Sequence, residues 1–296
     1  MTRFQANLLL LLAGAMWGMG FVAQSTAMDA IGPFLFIGLR FGIACLSMLP
    51  FAIWETRRST AALPQRDRRN FVIIGLLLFA GMASQQVGLL TTTVTNSGFL
   101  TGLYVVIVPF LAVLLFRQWP HGVVWPAALC ALTGIWLLSG AGSVALRPGD
   151  WLTILCALFW ALQVIMIGRS ASHTGRPVTL SVTQFGVTAI VALAIAAMIE
   201  PITPAAIGKA LPEILYAGIF SGGIAFTLQV IGQRYTTAPQ AAIFLSTEAV
   251  FAAAFGAIFL GERLPPLGLA GCGLIFTAIL AVEIIPAMRT RSDRTA

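Results

Sequence analysis

The amino-acid sequence predicts an all-α membrane protein whose ten transmembrane helices form two inverted five-helix repeats. Three observations predict this fold class: the composition, the spacing of the apolar segments and an internal similarity between the two halves. Of the 296 residues, 58% are hydrophobic and only 9% are charged, whereas about 25% of the residues in soluble domains are charged. Lipid is the solvent that accepts so much apolar surface, so we expect a lipid bilayer around the protein.

Ten predominantly apolar segments approach the roughly twenty residues that a helix needs to cross a bilayer. The expected helices cover residues 7–27, 31–54, 70–90, 96–116, 123–140, 149–169, 179–199, 211–232, 238–260 and 266–287. The short segments between them carry proline and glycine and leave no room for a soluble domain. We expect the first segment to be a retained helix, because it lacks the small-residue cleavage site of a signal peptide.

The basic residues are distributed unevenly between the two membrane faces. If the amino terminus lies inside and the segments alternate, thirteen arginines fall on the inner face, whereas only Arg147, Lys209 and Arg263 fall outside. This asymmetry predicts a multi-pass protein of the inner membrane with both termini in the cytoplasm. The net charge of +7 is then a signal of topology, and we expect no nucleic-acid partner.

The two halves of the chain resemble each other. Residues 92–120 align with residues 237–265 at a shift of 145, which pairs Phe99 with Phe244 and Pro120 with Pro265. A second, weaker match pairs Trp17 with Trp160. Two matches at nearly one shift predict repeats over residues 1–145 and 146–296. Because each copy contains an odd number of helices, the second copy is inverted in the membrane, as in many secondary transporters.

Several motifs resemble those of the EamA-type ten-helix permeases of the drug/metabolite transporter superfamily. They are the Trp17-Gly18 pair, Pro33 followed by Arg40-Phe41, the NSGFLTGLYVVIVP segment at 96–109 and the STEAVFAAAFGAIFLGERLP segment at 246–265. The chain departs from the family at Ala249, where a proline usually follows the glutamate, and this change could alter the local helix bend. The resemblance implies efflux of amino acids or metabolites, commonly driven by a proton or another gradient, without specifying a substrate.

Two ionisable residues are expected near the middle of the bilayer, where an unpaired charge costs several kcal/mol. Glu248 is a candidate for proton coupling or for binding a substrate amine, or it is a structural acid with a hydrogen-bond partner. Arg40 could pair with Glu248, bind a substrate carboxylate as a fork, or extend to the outer surface. Both residues have no equivalent charge in the other repeat, which predicts an asymmetric pocket.

Uncharged polar and aromatic residues within the segments are candidates for lining the solute cavity. They are Trp17, Gln85, Asn96, Tyr104, Trp160, Gln163, Gln229 and Phe244. Amides inside lipid must find partners, so the alternative is that they join helices together. Packing is likewise the alternative for the aromatic side chains.

We expect a monomeric secondary exporter of a small-molecule solute, either an amino acid or a similar metabolite. The sequence contains no Gly-rich loop ending in Gly-Lys-Ser/Thr, so ATP is not expected. The four cysteines lack metal-site spacing, and no cofactor is expected. One alternative is an intramembrane enzyme of the aspartyl-protease type, for which Asp150 and Asp29 are the outer-face acids. Another is a membrane sensor that transports nothing.

Overall fold

The computed structural model describes residues 1–59, 62–92, 94–139, 147–260 and 266–292, and every regular element within these ranges is helical. In chain order, the elements are α1 (Arg3–Ala27), α2 (Pro33–Arg58), α3 (Gln65–Leu89), α4 (Val94–Gly102), α5 (Tyr104–Phe116), α6 (Val124–Leu138), α7 (Pro148–Thr174), α8 (Pro177–Ile199), α9 (Pro204–Lys209), α10 (Leu211–Tyr216), a π-helix (Ala217–Ile224), α11 (Ala225–Gln233), α12 (Ala238–Leu245), α13 (Thr247–Leu260) and α14 (Pro266–Ser292).

Eight helical segments are long and apolar enough to cross a membrane. They are Pro33–Arg58, Gln65–Leu89, Ser97–Phe116, Pro148–Thr174, Pro177–Ile199, Leu211–Gln233, Ala238–Phe255 and Pro266–Pro286. The predicted all-α membrane class is therefore confirmed. The segments expected at 7–27 and 123–140 are also helical, as α1 and α6, but they are not among the eight. The count of ten spans stays a prediction.

Three of the expected helices are interrupted. The segment predicted at 96–116 breaks at Leu103, between α4 and α5, and the segment predicted at 238–260 breaks at Ser246, between α12 and α13. At the second break, the hydroxyls of Ser246 and Thr247 donate to main-chain carbonyls three residues earlier, each at 2.7 Å. Such bonds compete with regular helix hydrogen bonding. The third interruption is the π-helix between α10 and α11.

Glycines allow α1 to lie directly against α13. A Cβ atom on Gly14 would stand 2.6 Å from Thr247 Oγ1, and one on Gly18 would stand 2.6 Å from the main-chain nitrogen of Ala252. These distances are shorter than a carbon atom tolerates, so only glycine fits. The contact places the beginning of α13, including Glu248, beside the middle of α1.

Two carboxylates join α2 and α8 at both of their ends. Glu200, directly after α8, accepts hydrogen bonds from the main-chain nitrogens of Phe34 and Leu35 in the first turn of α2, both at 2.8 Å. Glu55, in the last turn of α2, accepts from the nitrogens of Val178 and Thr179 in the first turn of α8, at 3.1 and 2.7 Å. The two helices are therefore antiparallel, and each carries the cap of the other.

Helix contacts in the first half have counterparts in the second half. The helix α1 packs against α11 and α13, while α7 packs against α3 and against α4 and α5. Both helices also begin with the same kind of cap: the Thr2 nitrogen donates to Gln5 Oε1 at 2.9 Å, and the Arg147 nitrogen donates to Asp150 Oδ2 at 2.6 Å. A shift of 145 residues relates the two caps.

Candidate functional site

A small cavity lies at the points where the three interrupted segments meet α1, α2, α3 and α7. Its volume is about 50 Å³. The lining residues are Trp17, Gly20, Gln24, Arg40, Met82, Gln85, Thr101, Tyr104, Trp160, Val164, Ser221, Phe226, Gln229, Leu245 and Glu248. Both halves of the chain contribute to this central cavity, and each helix interruption supplies at least one lining residue.

The guanidinium of Arg40 is buried in the wall of the central cavity, with 3% of the residue exposed. Nη1 donates to Gln24 Oε1 at 3.2 Å, and Nη2 donates to Ser221 Oγ at 3.1 Å. Its Cζ lies 5.0 Å from the ring centroid of Phe41. No carboxylate of the described residues lies within ion-pairing distance, and Nε is buried without a hydrogen-bond partner. Arg40 is thus a positioned cation that does not pair with Glu248 in this structure.

Ser221 reaches Arg40 because of two local features. It lies in the π-helix, a form that often occurs at functional sites, and its main-chain carbonyl accepts a hydrogen bond from Trp17 Nε1 at 2.9 Å. Its hydroxyl occupies space beside Gly20, where a Cβ atom would stand only 2.6 Å away. The sequence reasoning missed Ser221, and a serine directly before a Gly-Gly pair in an apolar segment was the available signal.

Glu248 lies in the first turn of α13, directly after the helix break. Its side chain faces the central cavity and makes no hydrogen bond or ion pair with another residue in the described ranges. The carboxylate is therefore open to a ligand or a proton. The central cavity has a cation from α2 and an acid from α13.

The remaining wall is mainly aromatic. Phe226 contacts Trp17 with ring centroids 4.6 Å apart, and it stacks on Trp160 at 5.7 Å with an interplanar angle of 21°. Phe226 was absent from the sequence-based candidates, because one phenylalanine among twenty in this chain carries no distinguishing signal. These three rings form the apolar side of the central cavity.

The structure places most of the predicted candidates together. Trp17, Arg40, Gln85, Tyr104, Trp160, Gln229 and Glu248 line the central cavity.

Of the other three candidates, two lie elsewhere. Gln163 donates from Nε2 to Gln184 Oε1 at 3.1 Å and is fully buried between α7 and α8. Phe244, on α12, is buried in the apolar core. The side chain of Asn96 is outside the described residues.

Asp150, the acid considered for an aspartyl protease, has a capping role. Its carboxylate accepts from the Arg147 nitrogen and from the Thr92 hydroxyl, and the residue is fully buried at the start of α7. Asp29 is exposed in the turn after α1. The geometry expected of an aspartyl pair is not found among the described residues.

Comparisons with a family profile, with known sequences and with known structures all find similar proteins. The sequence profile of the EamA-like transporter family matches residues 4–140 and again residues 147–284. The chain is 33% identical over 286 residues to an uncharacterized transporter of Archaeoglobus fulgidus, an alignment that covers 95% of this chain and 87% of the relative. A protein of known crystal structure shares the fold, with a TM-score of 0.81 at 18% identity over 98% of this chain and 99% of that one.

Proposed function

Because this chain belongs to the EamA-like transporter family and is a multi-pass membrane transporter, we propose that it exports amino acids or similar small zwitterionic metabolites by alternating access. The observation that carries this proposal is the composition of the central cavity. Arg40 and Glu248 offer one positive and one negative group, and neither is neutralised by the other. The aromatic wall between the helices suits an apolar side chain.

The charge on Arg40 supports a carboxylate-bearing solute. An unpaired charge at the membrane centre costs about 3 kcal/mol or more, and an arginine fork binds a carboxylate through two parallel hydrogen bonds. Gln24 and Ser221 hold two of the guanidinium nitrogens, while Nε has no partner. A solute carboxylate would supply the missing negative charge, and Glu248 would receive the ammonium group.

The small volume of the central cavity supports a conformational cycle. Binding sites for small ligands usually enclose about 300–1,000 Å³, whereas this cavity measures about 50 Å³, which corresponds to one or two water molecules. A solute of amino-acid size therefore requires the walls to move. The interruptions at Leu103 and Ser246 are the natural positions for that movement, since broken helices surround the binding sites of many transporters.

Corresponding features in the two halves support ten transmembrane helices in inverted repeats over residues 1–145 and 146–296. The reciprocal caps of Glu55 and Glu200 lie at opposite membrane faces and are related by the 145-residue shift. The breaks at Leu103 and Ser246 correspond to within a few residues. We also propose that the protein is a monomer in the inner membrane, with both termini in the cytoplasm and without a cofactor.

Glu248 is the residue through which we propose that protons drive export. Its carboxylate has no partner in the described part of the chain, so it can bind either a proton or the solute ammonium. Competition between these two ligands would couple proton entry to solute exit. The comparisons favour a transporter over the intramembrane enzyme, and the capping role of Asp150 agrees with that preference.

A thermal-shift series on purified protein tests the binding mode. The amino acid that stabilises the wild type most is compared with its amide, which lacks the carboxylate, and its N-acetyl derivative, which lacks the ammonium group. A ligand at 100 times its Kd stabilises the native state by about 2.7 kcal/mol. We expect the amide to give no thermal shift, because it has no carboxylate for Arg40 to bind. The N-acetyl derivative should also give none, because it has no ammonium group for Glu248 to bind.

The matched variants are Arg40→Gln and Glu248→Gln, with Arg57→Gln as the control because Arg57 is exposed at the end of α2. Each of the two cavity variants should reduce the shift by the parent amino acid to about half or less, and the control should retain it. The binding mode is wrong if the amide stabilises the wild type as strongly as the parent does, or if no amino acid stabilises it.

A further inference from the structure

A second, larger pocket lies at the ends of three helices and shares no lining residue with the central cavity. It is formed by the first turns of α3, the last turn of α5 and the last turns of α7, and its volume is about 660 Å³. The lining residues are Arg66, Asp67, Asn70, Phe116, Met166, Arg169, Ser170, Ser172 and His173. We call it the basic pocket. It opens on the membrane face that the charge distribution assigns to the cytoplasm.

The basic pocket carries an excess of positive charge. Its acid, Asp67, is 7% exposed and lies 3.8 Å from His173 Nε2, a contact that is an ion pair only when the imidazole is protonated. Arg66 and Arg169 form no ion pair with an acid in the described ranges. Two guanidinium groups therefore face a space that contains one carboxylate.

One side of the basic pocket is apolar. Arg169 lies over the ring of Phe116, with Cζ 4.3 Å from the ring centroid, and Met166 completes this side. Directly before Phe116, Leu114 and Leu115 are exposed on a membrane-spanning helix. Exposed apolar surface therefore lies within one helical turn of Phe116. A guanidinium held over a ring keeps its N–H groups available for acceptors.

We propose that the basic pocket binds the phosphodiester headgroup of an anionic phospholipid. Arginine is suited to phosphate because its N–H groups match two phosphate oxygens, and basic pockets between transmembrane helices on the cytoplasmic side are sites for anionic headgroups. Phe116 and Met166 accommodate the glycerol and the first methylenes of the acyl chains. Inorganic phosphate has no group that would use this apolar side.

The test measures lipid binding by detergent-solubilised protein with native mass spectrometry. Phosphatidylglycerol is compared with phosphatidylcholine of the same acyl chains, and inorganic phosphate is a third arm. The wild type should retain phosphatidylglycerol in preference to phosphatidylcholine. Each arginine near anionic lipid contributes roughly fivefold in affinity, so R66Q together with R169Q should weaken phosphatidylglycerol binding by roughly 25-fold.

The matched control is R57Q together with R69Q, which removes two exposed arginines from the same face outside the basic pocket. This control should bind phosphatidylglycerol like the wild type. The proposal is overturned if R66Q/R169Q and the control lose binding equally, if the wild type holds both lipids equally, or if inorganic phosphate binds as tightly as phosphatidylglycerol.

A salt titration of the wild type keeps the proposal testable if R66Q/R169Q fails to fold. Raising the ionic strength from 0.1 to 1 M shortens the screening length from about 10 to 3 Å. Phosphatidylglycerol binding should fall with salt, and phosphatidylcholine binding should not. Equal salt dependence of the two lipids overturns the proposal.

Discussion

The reciprocal caps between α2 and α8 lead to a quantitative prediction for Glu200→Gln. Glu200 accepts two main-chain hydrogen bonds at 2.8 Å from the first turn of α2. Removing a capping group costs about 0.5–2 kcal/mol, and a hydrogen bond to a charged group contributes about 1.5–3 kcal/mol. Glutamine keeps an acceptor oxygen but loses the charge that favours a helix N-terminus. We therefore expect Glu200→Gln to lower the free energy of unfolding by about 1–2 kcal/mol.

The assay is thermal unfolding of the purified protein followed by intrinsic tryptophan fluorescence. For a chain of this size the expected loss corresponds to a decrease of roughly 2–6 °C in Tm. Glu55→Gln should have an effect of the same order, because Glu55 accepts bonds from Val178 and from both the nitrogen and the hydroxyl of Thr179. Asp29→Asn is the control, since Asp29 is an exposed acid at a turn on the same face as Glu200.

The double variant separates independent caps from a coupled pair. The two caps are about 30 Å apart, from the 1.5 Å rise of each of the intervening α2 residues, and effects of such distant sites add within about 0.5 kcal/mol. The decreases in Tm should therefore sum. An unchanged Tm in Glu200→Gln, or a decrease no larger than that of Asp29→Asn, would refute the capping role.

Substitutions at Arg40, Glu248 and Gly18 give three further predictions. Arg40→Gln should weaken solute binding by roughly 10–100-fold, because one charged hydrogen-bonding partner is worth about 1.5–3 kcal/mol. Arg40→Lys should restore only part of the lost affinity, since lysine lacks the fork. Titration calorimetry measures both affinities, and a wild-type affinity in Arg40→Gln contradicts the assignment. Glu248→Gln should remove the pH dependence of transport in a flux assay, and an unchanged pH profile would return this residue to a structural role. Gly18→Ala should lower Tm, because its Cβ would stand 2.6 Å from the Ala252 nitrogen. Gly42→Ala is the control and should leave Tm unchanged, because a Cβ at Gly42 has open space. Similar Tm values for the two variants would contradict the close packing of α1 on α13.

Sequence alone predicts the membrane class and the general location of the helices, because the bilayer imposes length and apolarity on each span. It also predicts that Arg40 and Glu248 are exceptional, because charges are costly in lipid. Hydropathy does not report the interruptions at Leu103 and Ser246, since an apolar run looks the same whether its hydrogen bonding is continuous or broken.

The details of the central cavity depend on side-chain partners that no local pattern encodes. Gln85 and Gln163 are both amides within apolar segments, and the sequence does not distinguish them. In the structure, Gln85 lines the central cavity beside Thr101, whereas Gln163 donates a hydrogen bond to Gln184. In the sequence, Ser221 and Phe226 resemble many other residues of the apolar segments. They line the central cavity only because of the π-helix and the position of α1. Such assignments require the packing of distant segments.

Counterflow in proteoliposomes tests the central claim most directly. Vesicles that contain the purified protein are loaded with a high concentration of the unlabelled amino acid that stabilises it most, and uptake of the labelled amino acid from outside is measured. The account predicts transient accumulation by the wild type and by Arg57→Gln, and much less by Arg40→Gln. Accumulation by Arg40→Gln at the wild-type rate, or no accumulation by the wild type of any amino acid that stabilises it, would contradict the account.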